Sequence, residues 1–214
     1  MKKHQVRIVG GEYRRTPIPV AESGQLRPTP DRVRETLFNW LSHFWGGDFA
    51  DKRVLDLFAG TGALGFEAAS RGVAHARLVE RSPAALAALR ALQARLRAAR
   101  VSIHAGDAMA FLRAQAQPEY DLLLLDPPFR QGWLERLWPL VGRALKPGGL
   151  VYVESERALR EPPPGLSPLR EARAGQVHVQ LFQFAAMQKT MNNPETRPPS
   201  REGAPPQDND TETV

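Results

Sequence analysis

The chain has 214 residues, 29 Lys and Arg against 23 Asp and Glu, a formal net charge of +6, and no cysteine. That length fits one ordinary domain with appendages, and the missing cysteine excludes a disulfide framework, a thiolate metal site and a cysteine nucleophile. No apolar run approaches the ~20 residues of a membrane span, and the start, Met1-Lys2-Lys3-His4-Gln5, lacks the apolar centre of a signal peptide. The expectation is a soluble, cytoplasmic protein with no membrane partner. Excess cationic charge suits a polyanionic partner, because phosphate contacts release condensed counterions, although an Arg- and Ala-rich composition is also what a GC-rich genome encodes.

Residues 1–28 show little helical periodicity and carry Lys2, Lys3, Arg7, Arg14, Arg15 and Arg27 against Glu12 and Glu22. Val6-Arg7-Ile8-Val9 and Pro17-Ile18-Pro19-Val20 flank Gly10-Gly11, which predicts a small basic β-hairpin lying against a nucleic acid. Thr29-Pro30-Asp31 then announces a helix, with Thr29 as N-cap, proline at the first helical position and a carboxylate where the helix dipole favours it. The helix is expected to reach about Ser42, burying Val33, Leu37, Trp40 and Leu41 and leaving Arg32, Arg34 and Asn39 largely off that stripe. Gly46-Gly47 closes a basic N-terminal unit, residues 1–46.

From residue 53 apolar strands alternate with helical segments, the pattern of an α/β fold with a mostly parallel sheet covered on both faces. Strands are predicted near 53–58, 76–80, 101–105, 120–126 and 149–154, and helices near 63–71, 83–98, 108–115 and 131–145. Lys146-Pro147-Gly148-Gly149 reads as a turn and Pro162-Pro163-Pro164 as a connection. Two last strands, about 167–173 and 176–184 around Ala174-Gly175, predict an antiparallel hairpin and bring the sheet to seven strands. This second unit spans 47–186. The tail 187–214 lacks an apolar stripe and is expected to be disordered. No exposed apolar stripe demands a partner, so a monomer is expected.

The first of these strands runs into Gly60-Thr61-Gly62-Ala63-Leu64-Gly65, a G-x-G-x-x-G loop opening a helix, and Glu80 ends the next strand where it can accept from ribose hydroxyls. Both features also fit a dinucleotide. Asp56 favours S-adenosylmethionine, since a carboxylate four residues before the glycines opposes a pyrophosphate but suits an ammonium and a sulfonium. Asp107, after the third strand, can accept from an adenine amino group, and Phe58, Arg81 and Ala108 stand beside these positions. The alternatives are structural: a hydrogen-bond hub for Asp56, an Arg81 salt bridge or helix cap for Glu80, an N-cap for Asp107. The five histidines form no metal-binding spacing, and no metal is expected.

Leu122-Leu123-Leu124-Leu125 ends in Asp126-Pro127-Pro128-Phe129. Here the chain resembles Rossmann-like class I methyltransferases, and the tetrapeptide resembles the [D/N]-P-P-[F/Y] motif of enzymes that methylate exocyclic amino groups of bases. Such an amine is a poor nucleophile because its lone pair is delocalised into the ring. Asp126 and a backbone carbonyl near Pro127 can accept from both N–H groups and aim the lone pair, the prolines stiffen the loop, and Phe129 can stack on a flipped base.

Together with Arg7-Ile8-Val9-Gly10-Gly11 and Leu26-Arg27-Pro28-Thr29-Pro30-Asp31-Arg32-Val33-Arg34-Glu35, these motifs resemble the bacterial RsmD family of 16S rRNA (guanine-N2-)-methyltransferases across about residues 1–185. The resemblance implies methylation of a guanine in small-subunit rRNA within a 30S particle. Arg27, Arg32 and Arg34 would then grip phosphates at the pocket mouth, where Arg forms bidentate contacts. An adenine-N6 or other amino-methylating enzyme, and a non-catalytic RNA-binding assembly factor, are the competing expectations.

Overall fold

The computed structural model describes residues 6–19 and 30–185. Arg27, the Thr29 cap, the second hairpin strand beyond Pro19 and the tail expected from 187 lie outside the described residues. The strands are β1 (Arg53–Asp56), β2 (His75–Glu80), β3 (Val101–Ala105), β4 (Tyr120–Leu125), β5 (Leu145–Ser155), β6 (Leu166–Ala174) and β7 (Val177–Phe184). The helices are α1 (Asp31–Phe44), α2 (Ala63–Ser70), α3 (Pro83–Leu96), α4 (Ala108–Arg113) and α5 (Trp133–Ala144). One seven-stranded sheet has the order β3-β2-β1-β4-β5-β7-β6. Its first five strands pair in parallel, and β7 runs antiparallel to both β5 and β6. The predicted mostly parallel sheet with a terminal antiparallel hairpin is therefore the observed one.

Two apolar layers cover the sheet. Leu122 and Leu124 of β4 join α1, α2, α3 and the N-terminal segment in one layer, while Leu123 and Leu125 join α4 and α5 in the other. A strand buried on both faces needs an uninterrupted apolar run, which the four leucines supply. Full burial of each contributes roughly 1.5–3 kcal/mol. The chain steps outward from β1 to β3 and returns to β4 on the other side of β1. That reversal opens a crevice at the C-terminal ends of β1 and β4, where α/β sheets of this kind bind ligands.

Several local expectations are corrected. Pro30, expected as the first helical position, is instead the N-cap of α1, and its carbonyl accepts from the Val33 and Arg34 amides at 2.9 and 3.2 Å. The helix runs two residues past Ser42, and Phe38 lies in the core with Trp40 only half-buried. Lys146–Gly149 belongs to β5, where a register shift opposite Tyr120 and a left-handed Gly148 (φ 77°) absorb the bend. The hairpin turn is Gly175-Gln176, because Ala174 still pairs with Val177. Pro168 is tolerated in β6 since that strand is the sheet edge.

The N-terminal hairpin is reduced to one bridge, Arg7 to Pro17, flanked by Ile8 N–H to Thr16 O at 2.9 Å and Ile18 N–H to Val6 O at 2.8 Å. Val6, Ile8, Tyr13 and Ile18 are buried in the same core as α1 and α2. Glu67 of α2, fully buried, accepts from the Val9 and Gly10 amides at 2.7 and 2.9 Å and from Arg71 Nε at 2.9 Å. Ser70 Oγ accepts from the Tyr13 amide at 2.8 Å. The segment is thus strapped along α2 rather than standing off as an arm.

Candidate active site

Four loops meet at the C-terminal edge of the parallel strands. After β1, Gly60 and Gly62 adopt left-handed φ of 51° and 80°, and Gly62 caps α2. A Cβ on Gly62 would lie 2.6 Å from Leu89 Cδ2, and one on Gly65 would lie 2.5 Å from Leu78 Cδ1. Two glycines therefore make the turn and the third lets α2 press on β2, the division of labour expected of a nucleotide-binding loop.

Asp56 ends β1 buried beneath this loop, its Oδ2 accepting from the Gly65 amide at 3.1 Å. Its Oδ1 is buried without a hydrogen-bond partner. Burial raises its pKa to about 7 against the pull of the Gly65 and Phe58 amides, with the Glu80 and Glu154 carboxylates adding to the rise. An acceptor this costly to leave unpaired is suited to a cationic ligand group. Asp56 is thus both the structural hub and an available acceptor, so the two readings of it are compatible.

Glu80 ends β2. Its Oε2 accepts from the Gly60 amide at 2.9 Å, and its Oε1 accepts from the Arg81 and Ser82 amides at 2.8 and 2.7 Å. The carboxylate fixes the glycine loop to the next turn and makes no side-chain salt bridge with Arg81. The Arg81 guanidinium lies 5.8 Å from the Trp133 ring centre, and Phe58 meets the same ring edge-on at 5.3 Å. Asp107 caps α4, accepting from the Ala110 amide at 3.0 Å through Oδ1, while Ala108 is buried as the first residue of that helix.

Asp126 follows β4 directly and is half-buried, Pro127 is buried, and Pro128 and Phe129 are exposed. Phe129 is the one large apolar side chain exposed among the described residues, at 37%. Burial pushes the Asp126 carboxyl well above its ordinary range, and the neighbouring Glu154 and Asp56 push it further. Leu125 pairs with Val153, so Asp126 stands level with Glu154 of β5. Glu154 is buried, and its Oε1 accepts from the Tyr152 hydroxyl at 3.0 Å. Sequence reasoning did not single out Glu154, Tyr152 or Trp133. The signal for Glu154 was present, since it is another carboxylate ending an apolar strand, as Asp56, Glu80 and Asp126 are.

The basic residues are dispersed. Arg34 is entirely buried, donating to the Arg7 carbonyl and to Asp31 Oδ1 at 2.8 Å, which corrects its expected position off the buried stripe and at the pocket mouth. A guanidinium can be buried only where such acceptors replace water. Arg7 is exposed and pairs with Asp31 at 3.1 Å, while Arg32 is exposed on α1. Arg14 and Arg15 are exposed beside Tyr13, which sits at the Ser70 end of α2. That is the full length of the helix from the glycine loop, about 12 Å at 1.5 Å per residue. No group of His, Cys, Asp and Glu among the described residues could hold a metal ion.

Residues 6–183 match the family described as Conserved hypothetical protein 95. The chain is 43% identical over 186 residues to the Ribosomal RNA small subunit methyltransferase D of Escherichia coli, covering 85% of this chain and 91% of that one. It superposes on a solved Escherichia coli structure, also 43% identical, with a TM-score of 0.74 over 85% of this chain and 99% of the other. An RNA methyltransferase from Salinibacter ruber, solved with S-adenosyl-L-homocysteine, shares the fold at a TM-score of 0.58 and 19% identity, over 77% of this chain and 97% of that one. The glycine loop, the acidic strand ends and these matches agree, and the chain belongs to this family of class I methyltransferases.

Proposed function

We propose that the protein methylates the exocyclic N2 amino group of a guanine in 16S rRNA, within an assembled or assembling 30S particle in the cytoplasm, as a monomer. The observation that carries this reading is Asp126-Pro127-Pro128-Phe129 at the tip of β4, beside the β1 glycine loop, with Phe129 exposed. The rRNA substrate rests on the name of the Escherichia coli relative, and the N2 position on the resemblance of the motifs.

The residues present fit S-adenosylmethionine, because Asp56 offers a buried, unpartnered oxygen to a cationic group beneath a glycine turn. That cofactor supplies an electrophilic methyl group on a sulfonium. Asp56 would hold its amino-acid end, Gly60 and Gly62 would line its path, Glu80 would take its ribose, and Asp107 with Ala108 its adenine. Phe58 and Arg81, fixed against Trp133, would close the side of the site.

On the substrate side the protein's task is placement. Asp126 and the carbonyl at Pro127 accept from the two guanine N–H groups, which concentrates the nitrogen lone pair on the remaining face. Proline rings fix φ, so these acceptors are held ready, and holding two reactants in line can lower a barrier by about 7–11 kcal/mol. The raised pKa of Asp126 makes it the better acceptor for the proton that the methylated nitrogen releases. Phe129 offers a face on which the extruded base stacks.

The test is transfer of labelled methyl from S-adenosylmethionine to small subunits from a strain lacking the gene, followed by nucleoside analysis. N2-methylguanosine is the expected product. N6-methyladenine assigns a different base, and no transfer leaves a non-catalytic RNA-binding role.

A further inference from the structure

The turn after β5 lies outside the cofactor half of the site and has no role in the reading above. Ser155 ends β5 and pairs with His178 of β7, so the segment that follows stands on the same sheet edge as Asp126. β5 is the immediate neighbour of β4 and β7 lies one strand further out, at about 4.8 Å per strand, so this segment stands within roughly 5–10 Å of the catalytic loop, on the side away from β1 to β3. A recess of about 580 Å³ opens there, lined by Arg157, Ala158, Arg160, Glu161 and His178.

The loop bearing the arginines is fixed rather than draped. Ser155 Oγ donates to the Arg157 carbonyl at 2.8 Å. Buried Gln180 grips Leu159 from both sides, accepting from its amide at 2.7 Å and donating to its carbonyl at 3.2 Å. Arg157 and Arg160 bracket that anchored residue and are exposed. Among the described residues neither guanidinium takes part in an ion pair, whereas Arg7, Arg53, Arg71 and Arg100 each do. Glu156 is engaged by Arg130 at 3.5 Å, which ties the recess to the residue following Phe129 and leaves Glu161 as the one carboxylate in the lining.

We propose that this recess binds phosphates of the RNA strand flanking the target nucleotide, with Arg157 and Arg160 as the contacts. Two forked cations on a preset backbone in a concave surface match a phosphodiester, which accepts bidentately and needs no desolvated partner. The recess holds the strand while Asp126 and Phe129 hold the extruded base, so it acts on substrate affinity and not on the transfer. The inference rests on the RNA methyltransferase reading.

The experiment compares wild type with Arg157→Ala/Arg160→Ala, Arg160→Ala alone, Arg157→Lys/Arg160→Lys and a control, Arg113→Ala at the far end of α4, using unmodified small subunits at several salt concentrations. The expected result is KM raised roughly tenfold in the double alanine variant with kcat and S-adenosylhomocysteine affinity unchanged. The slope of log(kcat/KM) against log[salt] should fall by about 1 per arginine removed. The lysine pair should keep most of the slope, and the control should behave as wild type. An unchanged KM and slope, or an equal change in the control, overturns the recess while leaving the enzyme reading intact. A photo-crosslinker at position 160 that labels a ribosomal protein instead of rRNA also overturns it. Absence of transfer by wild type overturns the enzyme reading and this inference with it.

Discussion

Asp56 ends β1 and Asp126 directly follows the adjacent β4, and each is made reluctant to ionise chiefly by burial, yet they face different partners. The pKa of Asp56 is raised to about 7 in the folded protein, so the native state binds the proton more tightly than the unfolded chain, and this group's contribution to stability falls as pH rises from about 4 toward 7. A cationic ligand group binds the ionised form, so S-adenosylhomocysteine affinity should rise toward a plateau above pH 7, by up to about tenfold per unit below it. Calorimetry from pH 5.5 to 8.5 measures this, and a flat profile in wild type removes Asp56 from the cofactor site. Asp126 acts as an acceptor, so turnover should fall on acidification at a pH above the ordinary carboxylate range. Asp126→Asn keeps an acceptor oxygen and loses the titration, so its residual turnover should lack that acid limb. Asp126→Ala should abolish transfer with cofactor affinity retained, and wild-type turnover in that variant removes Asp126 from catalysis.

Elements, rather than single residues, explain why the N-terminal segment folds where it does. Its one bridge could not hold a hairpin alone, since isolated two-stranded ribbons are marginal in water. Four apolar side chains and the buried Glu67 carboxylate of α2 fasten it instead. Glu67→Ala leaves two amides and Arg71 without their acceptor, and a loss on the order of 3 kcal/mol is expected in denaturant unfolding, with faster proteolysis within residues 6–19. A loss under about 0.5 kcal/mol would show that apolar packing alone holds the segment. The same α2 carries the glycine loop at its other end, so one short helix couples the N-terminal segment to the nucleotide site.

Across the whole molecule, two kinds of binding group lie at different depths. The C-terminal ends of the parallel strands offer backbone amides, glycines and buried carboxylates, groups that suit a small cationic ligand. Exposed arginines are spread over the surface, on α1, on α3 and on the turn after β5, and these suit phosphates. Raising salt from 50 to 200 mM should therefore weaken association with small subunits steeply while leaving S-adenosylhomocysteine affinity nearly constant. Arg32→Ala should reduce the salt dependence of particle binding without touching cofactor affinity. Parallel salt sensitivity of both ligands would contradict this division.

Periodicity and motif chemistry alone determined the strand and helix sequence from 53 to 184 and the acidic strand ends Asp56, Glu80 and Asp126. Those signals are local: unbroken apolar runs, helix-spaced stripes, and glycines at turns that need left-handed φ. The tertiary structure decided what depends on contacts distant in sequence. It buried Arg34, since its acceptors on Arg7 and Asp31 come together only when the N-terminal segment docks. Long-range packing also strapped that segment to Glu67, set Glu154 level with Asp126, and drew Lys146–Gly149 into β5. A residue's own neighbours in sequence set its backbone preference, but only the partner elements determine whether its charge faces water or the core.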